Sequence, residues 1–469
     1  MRFTVPRRLG CAAPPATPFA TPFATARVIA RATARATARA LALLALPALA
    51  SAQSLQELYD AARVFDATYL AAKANAAAVE HRVAQSEALL RPSLAATAAA
   101  TATQTDPPNF GRVGTNTLSG RFDGRYPLFN RANGVTVEQA RKSLGSAQAD
   151  LDSAEQDLII RVAQAYFDVL GAQDTLTSTR ANRTGITEVL ASAKRNFEVG
   201  TATITDTREA QARFDLATAQ ELAAENDLRI KRLALDTLVG RAGVEPKPLR
   251  VPVVLPAPLP ANPEEWVTLA DQGHPSVRRA RIGLEVAQLE TSKARAGEMP
   301  TVDAVASLGT ADNRGSGPNL NRSAGNTASA SVGVQMNWPL YTGGSVQNRI
   351  KETLTLEEKS RNDLEAARRG VAQGTRAFYF GVQSGLAQVK ALEAAESSSK
   401  LALEATQLGY KVGVRVNLDV LNAQTQLFQT QRDLAKARYD VLVGNLRLRQ
   451  ASGQLAPVDV DSVNRLLAR

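Results

Sequence analysis

Cysteine is almost missing from this chain: its 469 residues include one, Cys11, and none after residue 52. That excludes a disulfide framework and a thiolate metal site from nearly all of it. Histidine is as scarce, with only His81 and His274, and neither has companions at metal-ligand spacing. No G-x-S-x-G or phosphate-loop pattern occurs. No metal, no cofactor and no enzymatic activity are therefore expected. After residue 52 no apolar run approaches the roughly 18–20 residues of a membrane helix, which excludes helical spans but not β-spans, whose trace is far weaker.

The excess of positive charge also dissolves on inspection. The whole chain has 55 basic and 45 acidic residues, but seven arginines and no acid lie in the first 52, leaving 48 against 45. Those first residues run from Arg2 to Arg39 in low-complexity sequence, then through "ALALLALPALA" to a small-x-small triplet at Ala50–Ala52. A basic region, a short apolar core and such a triplet predict a signal peptide over 1–52, cleaved before Gln53, and hence an exported protein. No basic block remains for nucleic acid.

What is present is helix, twice over. A helical stretch spans about 54–90, a Thr/Gly/Ser-rich patch follows, then helix formers run without proline from about 130 almost to Gly200 and again from about 204 to 240. After the proline-rich "EPKPLRVPVVLPAPLPANPEE" the same order returns: helix from about 264 to 297, a second patch, long helix from 344 to 411, turn, helix from 417 to 452. "RPSLAATA" matches "MPTVDAVA", "RYPLFNRANG" matches "NWPLYTGGSV", "AYFDVLGAQ" matches "AFYFGVQSG", and "FEVGTATITDTREAQARF" matches "YKVGVRVNLDVLNAQTQL", at separations drifting only from 208 to 213. Such ordered repetition predicts a duplicated architecture. The first repeat spans 53–241, a crossover 242–262, the second repeat 263–453 and a short tail 454–469.

Inside the patches the period falls to two. Leu118, Phe122 and Tyr126 share one side against Arg121, Asp123 and Arg125; Val332, Val334, Met336 and Trp338 alternate with Ser331, Gly333, Gln335 and Asn337. Strands are expected at about 92–106, 116–128, 300–310 and 329–341, each near the length that crosses a bilayer at a tilt. Four strands cannot close a barrel, and an open edge cannot exist in lipid, so several chains must pool them. The alternative is an ordinary hairpin on a soluble core, which the great length of the helices disfavours.

The duplicated block order, "P-L-[FY]" at Pro127–Phe129 and Pro339–Tyr341, and "[FY]-x-V-G" at Phe197–Gly200 and Tyr410–Gly413 together resemble the TolC family of trimeric outer-membrane channel-tunnels. The resemblance implies a mostly α fold with membrane β-strands. Three chains would give a twelve-stranded transmembrane barrel in the outer membrane, continuous with a long α-helical barrel in the periplasm. It also implies outer-membrane lipid, a periplasmic adaptor and an inner-membrane pump as partners. The pump would be an ATP-driven exporter or a proton-driven efflux pump. Protein secretion is the preferred reading, small-molecule efflux the alternative; a periplasmic adaptor would leave the second hairpin unexplained, and a poreless coiled coil the alternating patches.

The resemblance further assigns roles at the tips. Gly200 and Gly413 would turn the two hairpins. Thr205 and Asp206, facing Tyr410 and Arg415, would form the polar links that close the periplasmic end, Arg415 and Tyr410 donating to the Asp206 carboxylate. The plainer reading of Asp206 and Asp419 is a pair of acids favoured by helix first turns. Asp419 and Asn422 match the family's pore constriction, where two acids three apart usually stand; here only Asp419 carries charge, so milder cation selectivity is expected.

Overall fold

The computed structural model describes residues 52–106, 113–201, 203–250, 252–316 and 325–468; the signal-peptide reading, with Cys11, lies outside them. Helices α1 (Leu55–Phe65) and α2 (Ala67–Glu87) lead to strands β1 (Ser93–Thr105) and β2 (Val113–Phe129), then to the long α3 (Arg131–Glu198) and its return α4 (Ile204–Val239). The second half repeats this order with α5 (Pro263–Gly273), α6 (Pro275–Arg295), β3 (Thr301–Ser316), β4 (Gly325–Asn337), α7 (Ser345–Lys411) and α8 (Asn417–Ala451), and ends in α9 (Pro457–Asn464). At 1.5 Å per residue α3 and α7, of 68 and 67 residues, are each about 100 Å long.

Two expectations need correction. The opening helix of each repeat is broken in two. Asp66 ends α1 and caps α2 by accepting from the Tyr69 amide at 2.8 Å, and the same carboxylate takes both ends of the Arg161 guanidinium at 2.8 and 3.0 Å. In the second repeat His274 precedes Pro275, and a residue before proline is pushed out of the helical region. Secondly, β3 runs on to Ser316 and β4 begins at Gly325 but stops at Asn337, short of the expected 341. Pro339 has no N–H to give, whereas Pro127 stays inside β2 beside a register shift between Pro127 and Phe129. The tail contributes α9, which docks on the core, and its Leu467 bridges Leu249 of the proline-rich crossover.

The main core sits where these pieces meet, partway along the long helices. Leu55, Leu58 and Tyr59 of α1, Tyr166, Phe167 and Leu170 of α3, Leu235 of α4, Leu442 and Leu446 of α8 and Val460 of α9 are all buried in it. Polar ties set its register. The Tyr166 hydroxyl donates to the Lys247 carbonyl at 2.8 Å and lies 3.3 Å from that of Gln53, pinning the crossover. The Tyr439 hydroxyl donates to Asp174 at 2.6 Å, joining α8 to α3 and so one repeat to the other; burial raises the pKa of both groups. Phe167 stacks on Tyr439 at 5.5 Å.

Of the two histidines, His81 is exposed on α2, while His274 is the N-cap of α6, its Nδ1 accepting from the Ser276 amide at 3.1 Å. Burial pushes its pKa below the usual 6.5, against the opposing charge of Asp157. Only the neutral ring can accept, so folding favours the neutral form. The stabilisation is present above the unfolded pKa and is lost as pH falls through the folded one. Thermal stability of the helical signal should drop as pH falls below about 6.5, and His274→Asn, which keeps a capping acceptor without a titrating ring, should flatten that slope. Equal slopes would remove the cap from this role.

Candidate functional site

The strands form one antiparallel sheet in the order β1-β2-β3-β4, so both outer edges are unpaired. Residues directly opposite in such a sheet share a face. Phe122 stands between Ala96 and Leu308, Leu118 opposite Ala100, Tyr126 opposite Ala304, Val332 opposite Ala306, Val334 opposite Ala304 and Met336 opposite Val302. Toward the helices that face is apolar and uncovered, with Val332 90% and Phe122 55% exposed; farther out Asp312 stands opposite Leu118. The opposite face carries Thr97, Arg121, Thr101, Thr117, Ser119 and Asp123, and Ser307 and Ser331 share a hydrogen bond at 2.7 Å across it. Trp338 lies just past β4, its indole donating to the Glu298 carbonyl at 3.2 Å. At the helical end of the sheet the Arg125 guanidinium meets Asp303 at 2.6 Å, linking the two repeats.

At the far end of the helices the two hairpin tips are built alike. Gly200 has φ +77° and Gly413 φ +78°, the left-handed conformation that glycine adopts without strain. In the first, Thr201 and Gly200 donate back to the carbonyls of Asn196 and Phe197; in the second, Val414 and Gly413 donate to Gly409 and Tyr410. This pair of bonds satisfies the last carbonyls of α3 and α7. The returning helices differ. Thr203 and Asp206 form a reciprocal capping box on α4, but α8 starts at Val416 with no side-chain cap. Asn417, which has the chemistry of a cap, is instead buried inside α8 with its Oδ1 unpartnered.

Asp206, Tyr410 and Arg415 line one cleft of about 400 Å³, together with Asn196, Lys411 and Asn417. They do not bond one another as expected. The Asp206 carboxylate accepts from the Thr203 amide and hydroxyl at 2.9 and 2.8 Å, so its own turn has claimed it. Arg415 reaches Asp419 at 3.6 Å, and the Tyr410 hydroxyl accepts from the Asn196 side-chain amide at 3.3 Å. Thr205 lies exposed in the first turn of α4. Asn422 accepts from the Arg213 guanidinium of α4 at 3.2 Å.

Sequence reasoning missed the contact that holds the repeats together near the tips. The Gln424 side chain of α8 is buried, and its Nε2 donates to the Asn182 carbonyl of α3 at 3.2 Å. A Cβ on Gly185 would stand 1.9 Å from that nitrogen, so the close approach needs glycine. The signal was there: Gln424 interrupts the stripe formed by Leu421 and Leu427, both buried.

A sheet with one uncovered apolar face, one hydroxyl-rich face and two free edges, carried on helices of such length, defines an outer-membrane channel subunit. Residues 58–241 and 266–454 match the family described as outer membrane efflux protein. The chain is 33% identical over 428 residues to the outer membrane protein TolC of Vibrio cholerae, covering 90% of this chain and 96% of that one. It is 34% identical over 337 residues to the alkaline protease secretion protein AprF of Pseudomonas aeruginosa, covering 69% and 68%. The crystal structure of the outer membrane protein VceC from Vibrio cholerae shares the fold, with a TM-score of 0.71 at 21% identity over 85% of this chain and 96% of that one. The chain belongs to the outer membrane efflux protein family, the family of TolC. It is accordingly a passive channel of the outer membrane and not an enzyme.

Gly185→Ala should evict the Gln424 amide and lower stability by roughly 1–3 kcal/mol, the cost of an unmade buried hydrogen bond. In a Gln424→Ala background the same change should be nearly neutral, because the two residues share one contact. Thermal melts of the four proteins in detergent read this; equal cost in both backgrounds would dissociate the pair.

Proposed function

We propose that three copies of this chain form the exit duct of a three-part export machine, receiving substrate from an inner-membrane pump through a periplasmic adaptor. The observation that carries this reading is the open-edged, two-faced sheet. In lipid each unpaired N–H and C=O is costly, so β4 of one copy must pair with β1 of the next until the ring closes. Three copies of a four-stranded sheet supply twelve strands. Phe122, Tyr126, Val332, Val334, Met336 and Trp338 then face lipid, and the hydroxyl-rich face lines a wet lumen. Protein secretion is the favoured cargo route, supported by the likeness to a protein named for alkaline protease secretion. Efflux of small molecules is the second reading, favoured by the family's own description.

The tips form the gate in this reading, with Asp419 and Asn422 at the constriction. What supports it is the difference between them. The first-repeat tip is fixed by its capping box, whereas the second lacks a cap and buries an unpartnered Asn417 oxygen. The second is the easier to move. Thr205, Asp206, Tyr410 and Arg415 cluster at this gate, where Tyr410 links the two tips through Asn196 while Asp206 and Arg415 are held within their own repeats, each contact between exposed groups contributing only about 0.2–1 kcal/mol. A docking partner supplies enough free energy to release links of that size.

The mature protein should be a trimer in detergent by light scattering; a stable monomer whose strand amides are fully protected in lipid would rule the barrel out. Tyr410→Phe with Arg415→Ser should raise single-channel conductance in planar bilayers, by more than either change alone. Unchanged conductance in a correctly inserted double variant would sink the gate. The cargo route is decided by which pump co-purifies: an ATP-driven exporter for secretion, a proton-driven pump for efflux.

A further inference from the structure

Both residues at the proposed constriction are held by an arginine. Asp419 is met by Arg415 at 3.6 Å, and Asn422 by Arg213 at 3.2 Å. The two contacts differ in their electrical consequence. Arg415 sits against a carboxylate and the pair largely cancels. Arg213 sits against a neutral amide, which accepts its hydrogen bond but returns no charge. Among the described residues no carboxylate lies within salt-bridge distance of Arg213, although Glu209 is one helical turn away on the same side of α4 and Asp215 two residues on. Its charge is therefore left to act on the surrounding water.

Arg213 also comes from the first repeat, while Asn422, Asp419 and Arg415 come from the second. The Arg213 guanidinium thus reaches across from α4 to the inner turn of α8. Asp419 and Asn422, three apart, lie on the same face of α8. The three charged side chains in these contacts, Asp419, Arg415 and Arg213, sum to +1 per chain, with Glu209 outside salt-bridge distance of Arg213.

We propose that Arg213 is a selectivity-determining residue of the channel: with Asn422 it makes the second level of the constriction cationic, so that the mouth disfavours cations despite the Asp419 ring. This rests on the reading that the tips face the lumen of the trimer. Asn422 has a definite part in it. An aspartate there would pair with Arg213 and cancel its charge; the asparagine keeps the guanidinium in place by the same hydrogen bond and leaves the charge free.

The test is planar-bilayer recording of the full mature trimer, with reversal potential in a KCl gradient and block by La3+ as readouts. Arg213→Gln keeps amide donors for Asn422 and removes the charge. At low ionic strength, removing one positive charge about 10 Å from a trivalent cation should tighten its block roughly tenfold, so the loss of all three in the trimer should tighten it by at least that much. The reversal potential should move toward cation preference, and Arg213→Lys, which keeps the charge, should behave as wild type. Asn422→Asp alone, which cancels the Arg213 charge, should tighten block about as much as Arg213→Gln does, and the two together should tighten it beyond either. Asp419→Ala, which tests the underlying reading, should relieve whatever block remains. Arg213→Gln without effect while Asp419→Ala relieves block would overturn the role of Arg213 and leave the constriction where it is. If neither change affects block or selectivity, the constriction is not at these tips. Unchanged block in Asn422→Asp, where Arg213→Gln tightens it, would likewise overturn the proposal, because a carboxylate beside Arg213 would then not have cancelled its charge.

Discussion

The unpaired edges of the four-stranded sheet govern the rest of this molecule. Each edge presents a row of backbone donors and acceptors, which water satisfies and hydrocarbon does not. A soluble protein would bury or blunt such edges. Here β1 and β4 are left free over their whole length, and the adjoining face is apolar from Leu94 to Met336. Self-association of a head-to-tail kind is the solution that consumes both edges at once, and it demands a closed ring. The long helices follow from the same requirement. They have few buried side chains on α7, whose outer stripe includes Leu401 and Leu408, both exposed, so they too look to a neighbouring copy.

Duplication makes the ring regular, and the differences between the repeats make it usable. The belt core ties both repeats to one fixed point through Tyr439 and Asp174, the crossover and α9. Away from that point the interactions grow weaker and wetter. On the first-repeat hairpin Arg180 and Arg183 of α3 share Glu221 of α4, keeping that pair together. The second-repeat hairpin leans on the first chiefly through Gln424 and a small apolar cluster around Ile186 and Leu421. A rigid middle with a loosely docked tip is the arrangement that lets one end move without disturbing the barrel.

Charge at the tips is arranged so that little of it is wasted in strong pairs. Asp206 is spent on its own capping box, Arg415 on a neighbour one turn along, and Arg213 on an amide. None of these contacts is buried, and each stays responsive to salt and to a docking surface. A buried, fully paired lock would be harder to release and would cost more to break.

Much of this was legible in the sequence because it depends on local periodicity. The extents of the long helices, the period-two patches, the turn glycines at 200 and 413 and the internal repeat all follow from the order of residues along a few turns or strands. The need for other copies also followed, since counting strands is enough to show that one chain cannot close. What the tertiary structure alone decided were contacts between residues two hundred positions apart. Gln424 found Asn182 and Gly185, Arg213 found Asn422, and Asp206 turned to Thr203 when its distant partners had been expected. Each of these polar side chains has more than one chemically suitable partner in the sequence. Which one it takes depends on differences of a few tenths of a kcal/mol set by helix register and tip geometry. Sequence pattern does not resolve differences of that size; the packing of two long hairpins against each other does.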